Sequence, residues 1–190
     1  MSKIILASSS IYRQELLKRL QIKFTSISPN INEERINDEN FEDLARRLSN
    51  EKAEVISIKN PSAFVIGSDQ TAEFNNKEVR KPHSIEKAFV QLNELSGQTL
   101  NFYSGVCLKN VQKNISVDEV IKFSVTYKQL SEEQIKNYLK IEDPSQCVGS
   151  IKSEGFGITL LEEIRCNDPT AVIGLPLIKL SQMFDKYGVI

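Results

Sequence analysis

The stretch AFVIGSD, residues 63–69, decides how this 190-residue chain folds. It is a continuous apolar run too short for a helix, and such runs are typical of strands buried on both faces. It ends in Ser68 and Asp69, so a core strand delivers a hydroxyl and a carboxylate to its own carboxyl end. Ligand sites in open α/β sheets gather at such ends, which makes Asp69 the first candidate for chemistry. Asp69 positions a metal, accepts a proton from a water, or only ends the strand at a turn; the strand by itself leaves these open.

Upstream, MSKIILASSS gives a strand over 3–7 and a serine turn. A helix over 11–20 follows, with Leu16, Leu17 and Leu20 on one face and Ser10 as its N-cap. A strand near 24–27 and an acidic loop precede an amphipathic helix over 41–58, carrying Leu44, Leu48, Ala53 and Ile56. Downstream, a helix over 84–95 stops at Gly97, a good C-terminal signal. Residues 99–111 and 115–127 alternate as two longer strands joined by a polar turn. Ser131 to Gln134, SEEQ, is a capping box that opens a helix with Ile135, Tyr138 and Leu139 inward, and a last helix begins near Pro176. Strands and helices alternate without repeats or linkers, which predicts an α/β protein with a mixed β-sheet flanked by helices, one domain over 1–190.

Composition excludes several classes. With 24 basic and 25 acidic residues the net charge is -1, so no global field attracts nucleic acid or an anionic membrane, and basic residues do not cluster with aromatics. Cys107, Cys147 and Cys166 are odd in number and show no CxxC spacing, which speaks for packed thiols rather than disulfides or a zinc site. The single histidine, His83, cannot build a histidine-rich metal site. Catalysis then falls to carboxylates, lysines, arginines and a metal. The apolar run 4–7 is far shorter than a signal peptide or a membrane span, so a cytoplasmic protein is expected.

Four further stretches carry candidate chemistry. In LASSSIYR, residues 6–13, Ser8, Ser9 and Ser10 sit at a helix start, where free N–H groups and the helix dipole favour an anion. Arg13, one turn in, is placed to reach that anion with its forked donors; an N-cap followed by a solvent-facing arginine is the alternative. Lys81 precedes Pro82, which biases it to an extended conformation and leaves it as a fixed point charge or a solvated loop residue. Glu33 and Glu34 form a loop acid pair suited to Mg²⁺ or to a hydrated surface, and Lys52, inside an amphipathic helix, is by default a surface residue. In SEGFGI, residues 153–158, Glu154 stands before two glycines that permit close backbone approach.

In order and spacing, LASSSIYRQELL, IGSDQ, RKP, LSGQTLNFYSG, GSIKSEGFGI and VIGLPL resemble the Maf family of nucleoside triphosphate pyrophosphatases over essentially the whole chain. IGSDQ and GSIKSEGFGI resemble the subgroup acting on 7-methyl-GTP, whereas the dTTP and UTP subgroup usually has threonine after the aspartate and glutamine in place of Glu154. The resemblance implies a Maf-like domain of two lobes around a central nucleotide cleft. It implies hydrolysis between the α and β phosphates with Mg, Mn or Co, and a homodimer. Asp69 becomes the proton acceptor and, with Glu33, a metal position; Lys81 joins it as catalytic. Ser8, Ser10, Arg13 and Lys52 match positions that meet the phosphates, and Tyr12, Gln70 and Glu154 match positions linked to substrate choice.

A 7-methylguanine base is cationic and presents N–H donors, so a carboxylate such as Glu154 serves as counter-charge and acceptor. Tyr12, Tyr103 and Phe156 are the aromatic residues available to stack on it. The chain departs from the family pattern at Ile11-Tyr12, where Pro-Arg is common, at Arg80, where glycine is usual, and at Asn32, where aspartate is usual. Glu73 is an extra acid after Asp69, either compensating for Asn32 or facing solvent from a strand. The rival readings are a dTTP or UTP pyrophosphatase and a nucleotide-binding regulator of cell division without turnover.

Overall fold

A computed structural model of the chain describes residues 3–36 and 38–190. Among them are seven strands and five α-helices: β1 Ile4–Ala7, α1 Ile11–Lys18, β2 Thr25–Ser26, α2 Phe41–Ser57, β3 Phe64–Phe74, β4 Lys77–Glu78, α3 Ile85–Leu95, β5 Thr99–Asn110, β6 Ile115–Tyr127, α4 Glu132–Ile141, β7 Leu161–Arg165 and α5 Leu177–Tyr187. The strands form one mixed sheet in the order β2-β1-β3-β5-β6-β7, with β4 beside β3. The expected α/β class with a mixed sheet is therefore the observed one. No helix among the described residues is long and apolar enough to cross a membrane.

The chain divides into two compact units. The first comprises 1–70, 103–121 and 168–190. Here β1 pairs in parallel with both β2 and β3, in the register Leu6↔Ser26 and Leu6↔Ile66. One face of these strands buries Leu6, Phe64 and Ile66 with Leu17 of α1 and Leu180 and Phe184 of α5. The opposite face carries Ile5 and Val65 against Ala53 and Ile56 of α2. This two-sided burial is why 63–69 lacks polar alternation. Gly67 brings α2 close: a Cβ there would overlap the Ser49 carbonyl oxygen and stand 2.8 Å from Ala53 N.

The second unit comprises 71–102 and 122–167. Its α4 opens on the expected capping box, Ser131 accepting from Gln134 N while the Gln134 side chain returns to Ser131 N. Leu92 of α3 and Ile135 and Tyr138 of α4 are buried core residues, and Phe102 stacks on Phe123 at 4.9 Å.

Two boundaries differ from the sequence-based ones by more than one residue. α1 ends at Lys18 rather than 20, because Arg19 and Leu20 donate to Leu16 and Leu17 in tighter i,i+3 turns. β3 continues past Asp69 to Phe74, so Asp69 lies within the strand rather than at its end. The extension exists because Phe74 and Lys77 pair across Asn75 and Asn76, whose φ values of 52° and 60° make the two-residue turn of a hairpin. Glu73 stands opposite Glu78 in that hairpin.

Candidate active site

The first unit gathers most of the expected site residues. α2 delivers Lys52 and β3 delivers Asp69, both buried, and Lys52 Nζ lies 2.5 Å from Asp69 Oδ1. Glu33, from the extended segment before α2, places Oε1 2.7 Å from the same Nζ and is 58% exposed, so one carboxylate of the pair is dry and the other wet. This corrects the surface placement of Lys52: the close approach at Gly67 draws its stem under α2, and two carboxylates neutralise a charge that could not otherwise be buried. Among the described residues, no donor is bonded to Asp69 Oδ2, which stays available as a proton acceptor.

The serine turn does two jobs. Ser10 Oγ accepts from Arg13 N at 3.4 Å and caps α1, and Ser8 Oγ accepts from Ser10 N at 3.1 Å. Both hydroxyls keep their own proton to donate. Arg13 does not point to solvent. Its Nε donates to the Gly174 carbonyl at 2.9 Å, a bond that does not use the two terminal nitrogens. Burial pushes its guanidinium below the usual arginine value while Asp69 and Glu33 pull it back up, which places all three in one electrostatic cluster. Tyr12 lies half-buried in the first turn of α1.

Gln70 follows Asp69 on the other face of β3, and its Nε2 donates to the Ala171 and Val172 carbonyls at 2.9 and 3.3 Å. The Ser68 hydroxyl lies 2.8 and 2.9 Å from the Gly105 and Gly174 carbonyls, which share its single proton. The short 3-10 helix Pro169–Ile173 and the Gly174 that follows it thus form a platform on which Ser68, Gln70 and Arg13 all rest. Sequence reading missed this platform, and also missed Arg47. Arg47 holds Glu39 in a two-pronged bond at 2.8 and 2.9 Å, reaches Glu51 at 3.1 Å and donates to the Glu34 carbonyl at 3.0 Å, fastening the segment that carries Glu33 onto α2. Only the Arg47–Glu51 pair, one helical turn apart, was visible beforehand.

Two site candidates belong to the second unit. Lys81 is exposed in the irregular Arg80-Lys81-Pro82 segment, where Gln91 Nε2 donates to the Arg80 carbonyl at 3.0 Å. Arg80, where the family pattern has glycine, turns to Glu78 at 2.8 Å. Glu154 is exposed on the loop between α4 and β7.

Charge in the first-unit cluster balances as two carboxylates, one ammonium and one guanidinium. Its donors to a hard cation are all oxygen, and both carboxylates converge on one cationic position, now held by the ammonium. Among the described residues no group of three or more His, Cys, Asp or Glu side chains is suited to a metal. Glu33 and Asp69 supply hard oxygen ligands of the kind Mg²⁺ takes, but only two residues, so oxygens from outside the chain would have to complete a divalent-ion site there.

The Maf-like protein family matches residues 3–187. The chain belongs to the Maf family. The 7-methyl-GTP pyrophosphatase of Nitrosococcus oceani is 45% identical, with 97% of this chain and 93% of that protein aligned. The protein of the same name from Pseudomonas putida is 43% identical over 100% of this chain and 98% of its own. Among solved structures, the Staphylococcus aureus Ham1 protein aligns over 67% of this Maf chain and 73% of its own, at 17% identity and a TM-score of 0.47.

Proposed function

We propose that this Maf protein hydrolyses 7-methyl-GTP to 7-methyl-GMP and pyrophosphate, and so removes a modified nucleotide from the cellular pool. The observation that carries the chemistry is the buried Lys52 bridging Asp69 and Glu33 beside Arg13. The choice of base rests on Gln70 after Asp69, on Glu154, and on the relatives named for that substrate.

In this reading Arg13 and Lys52 balance the charge of the triphosphate, and the Ser8 and Ser10 hydroxyls and the start of α1 donate to its oxygens. Asp69 Oδ2 takes a proton from water as the water oxygen bonds to the α phosphorus, the α–β bridge breaks and pyrophosphate leaves. Lys81 supplies a point charge to the phosphates; at about 4 Å and an effective dielectric of 20, one such charge is worth roughly 4 kcal/mol. A divalent ion, Mg, Mn or Co, would be held by Glu33 and Asp69, and when bound it supplies charge neutralisation at the phosphates. Glu154 pairs with the cationic base. The same reading makes the protein cytoplasmic and homodimeric.

The test is pyrophosphate release from 7-methyl-GTP, GTP, dTTP, UTP and CTP, each with Mg²⁺ or Mn²⁺. The expected result is preference for 7-methyl-GTP, falling by about tenfold or more in Glu154→Gln because a charge-assisted bond to the base is lost. Preference for dTTP or UTP would keep the chemistry and overturn the base assignment. Tight nucleotide binding without release from any of them would favour the regulator.

A further inference from the structure

Glu154 lies between two short 3-10 helices, Val148–Ser150 and Phe156–Leu160, and side chains from three elements of the second unit hold this segment. Tyr127 of β6 donates to the Gly149 carbonyl at 2.8 Å, and Gln91 of α3 accepts from Ser150 Oγ at 2.6 Å. Tyr138 of α4 accepts from Lys152 N at 3.0 Å. These three neutral contacts fix the loop only as far as residue 152. Beyond it Glu142, the C-cap residue of α4, accepts through Oε2 from Gly157 N at 3.1 Å, while the Thr159 hydroxyl and Lys128 Nζ hold the later carbonyls of Phe156 and Thr159 at 2.8 and 2.9 Å.

The chain from 153 to 157 is folded around that carboxylate. A Cβ on Gly155 would overlap Glu142 Oε1, so the backbone next to Glu154 lies directly against the acid. Glu142 is itself anchored, its own N–H donating to the Tyr138 carbonyl at 2.9 Å. Burial pushes the Tyr138 hydroxyl up, the bond from Lys152 N opposes this, and the nearby charges of Glu142 and Glu154 push it further up. Glu142 faces into the loop and Glu154 faces out of it.

We propose that Glu142 is a positioning residue for base selection: its carboxylate is the core around which residues 153–157 fold, and it sets the direction in which Glu154 projects. This rests on the reading that Glu154 meets the base. The role is geometric, so a glutamine, which keeps the shape and the acceptor, should serve nearly as well as the acid.

The experiment compares kcat/KM for 7-methyl-GTP and GTP in the wild type, Glu142→Ala, Glu142→Gln, Glu154→Gln and Glu142→Ala/Glu154→Gln, with amide exchange at Gly157 measured on each. Glu142→Ala is expected to lower the 7-methyl-GTP to GTP ratio by about tenfold, Glu142→Gln to retain most of it, and the double variant to match Glu154→Gln, since the two residues act as a unit. Exchange at Gly157 should rise about tenfold or more in Glu142→Ala alone of the single variants. A ratio unmoved by Glu142→Ala but lowered by Glu154→Gln would overturn the inference, as would equal losses in Glu142→Ala and Glu142→Gln. If the wild type shows no preference, the base assignment fails, and unchanged exchange at Gly157 in Glu142→Ala would then also refute the scaffold role.

Discussion

Asp69→Asn is expected to lower turnover of 7-methyl-GTP by a factor of about 10³ while leaving nucleotide binding largely in place. Asparagine preserves the shape, and its Oδ1 still accepts from Lys52 as the aspartate does at 2.5 Å. What it removes is the second oxygen, which has no other donor and is the atom assigned to take the proton. The loss should therefore appear in kcat far more than in affinity, and direct binding of 7-methyl-GTP by calorimetry beside steady-state rates separates the two. Asp69→Ala should behave differently. Among the described residues it leaves the buried Lys52 with Glu33, 58% exposed, as its remaining carboxylate partner, and uncompensated buried charge costs about 3–5 kcal/mol. An asparagine variant with wild-type kcat would remove Asp69 from the chemistry.

Asp168→Ala is expected to be the most destabilising change outside that pair, by about 3 kcal/mol, or roughly 6–12 °C in Tm for a chain of this size. Asp168 is buried at the mouth of two helices. Its Oδ1 accepts from Thr170 N and Oγ1 at 3.2 and 2.8 Å, and its Oδ2 accepts from Ile178 N and Lys179 N at 2.9 and 3.3 Å. The residue before α5 is Pro176, which has no side-chain acceptor, so Asp168 supplies the cap from a distance. Removing it leaves the helix N–H groups without their partners. The same change loosens the platform that receives Arg13, Ser68 and Gln70, so kcat/KM should fall along with Tm. Thermal unfolding followed by circular dichroism, with rates measured well below the transition, checks both parts. A variant with unchanged Tm would show that the platform holds itself.

The elements easiest to read were those with local grammar. The apolar run at 63–69, the capping box at Ser131 and the alternation of β6 each carry their cause within a few residues, and each stands where expected. β4 and β7 were missed because strands of two and five residues are fixed by their partners: β4 by the Asn75-Asn76 turn, β7 by its pairing with β6. The site divides in the same way. The serines and Arg13 announced themselves at the start of α1, and Asp69 at the end of the apolar run, although the strand continues beyond it. Lys52 looked like any lysine on an amphipathic helix, because what buries it is a carboxylate from β3, another from the 31–36 segment and a glycine that lets α2 approach. Glu142 left only an indirect trace, two glycines signalling that something lies close to the Glu154 loop without saying what.

The central claim is that water attacks the α phosphorus of 7-methyl-GTP at the Asp69 carboxylate. Turnover in water enriched in oxygen-18, with products identified by mass spectrometry, tests it most directly. The predicted result is 7-methyl-GMP carrying one heavy oxygen, unlabelled pyrophosphate, and neither product from Asp69→Asn on the same timescale. Label in the pyrophosphate, or release of 7-methyl-GDP and inorganic phosphate, would contradict it.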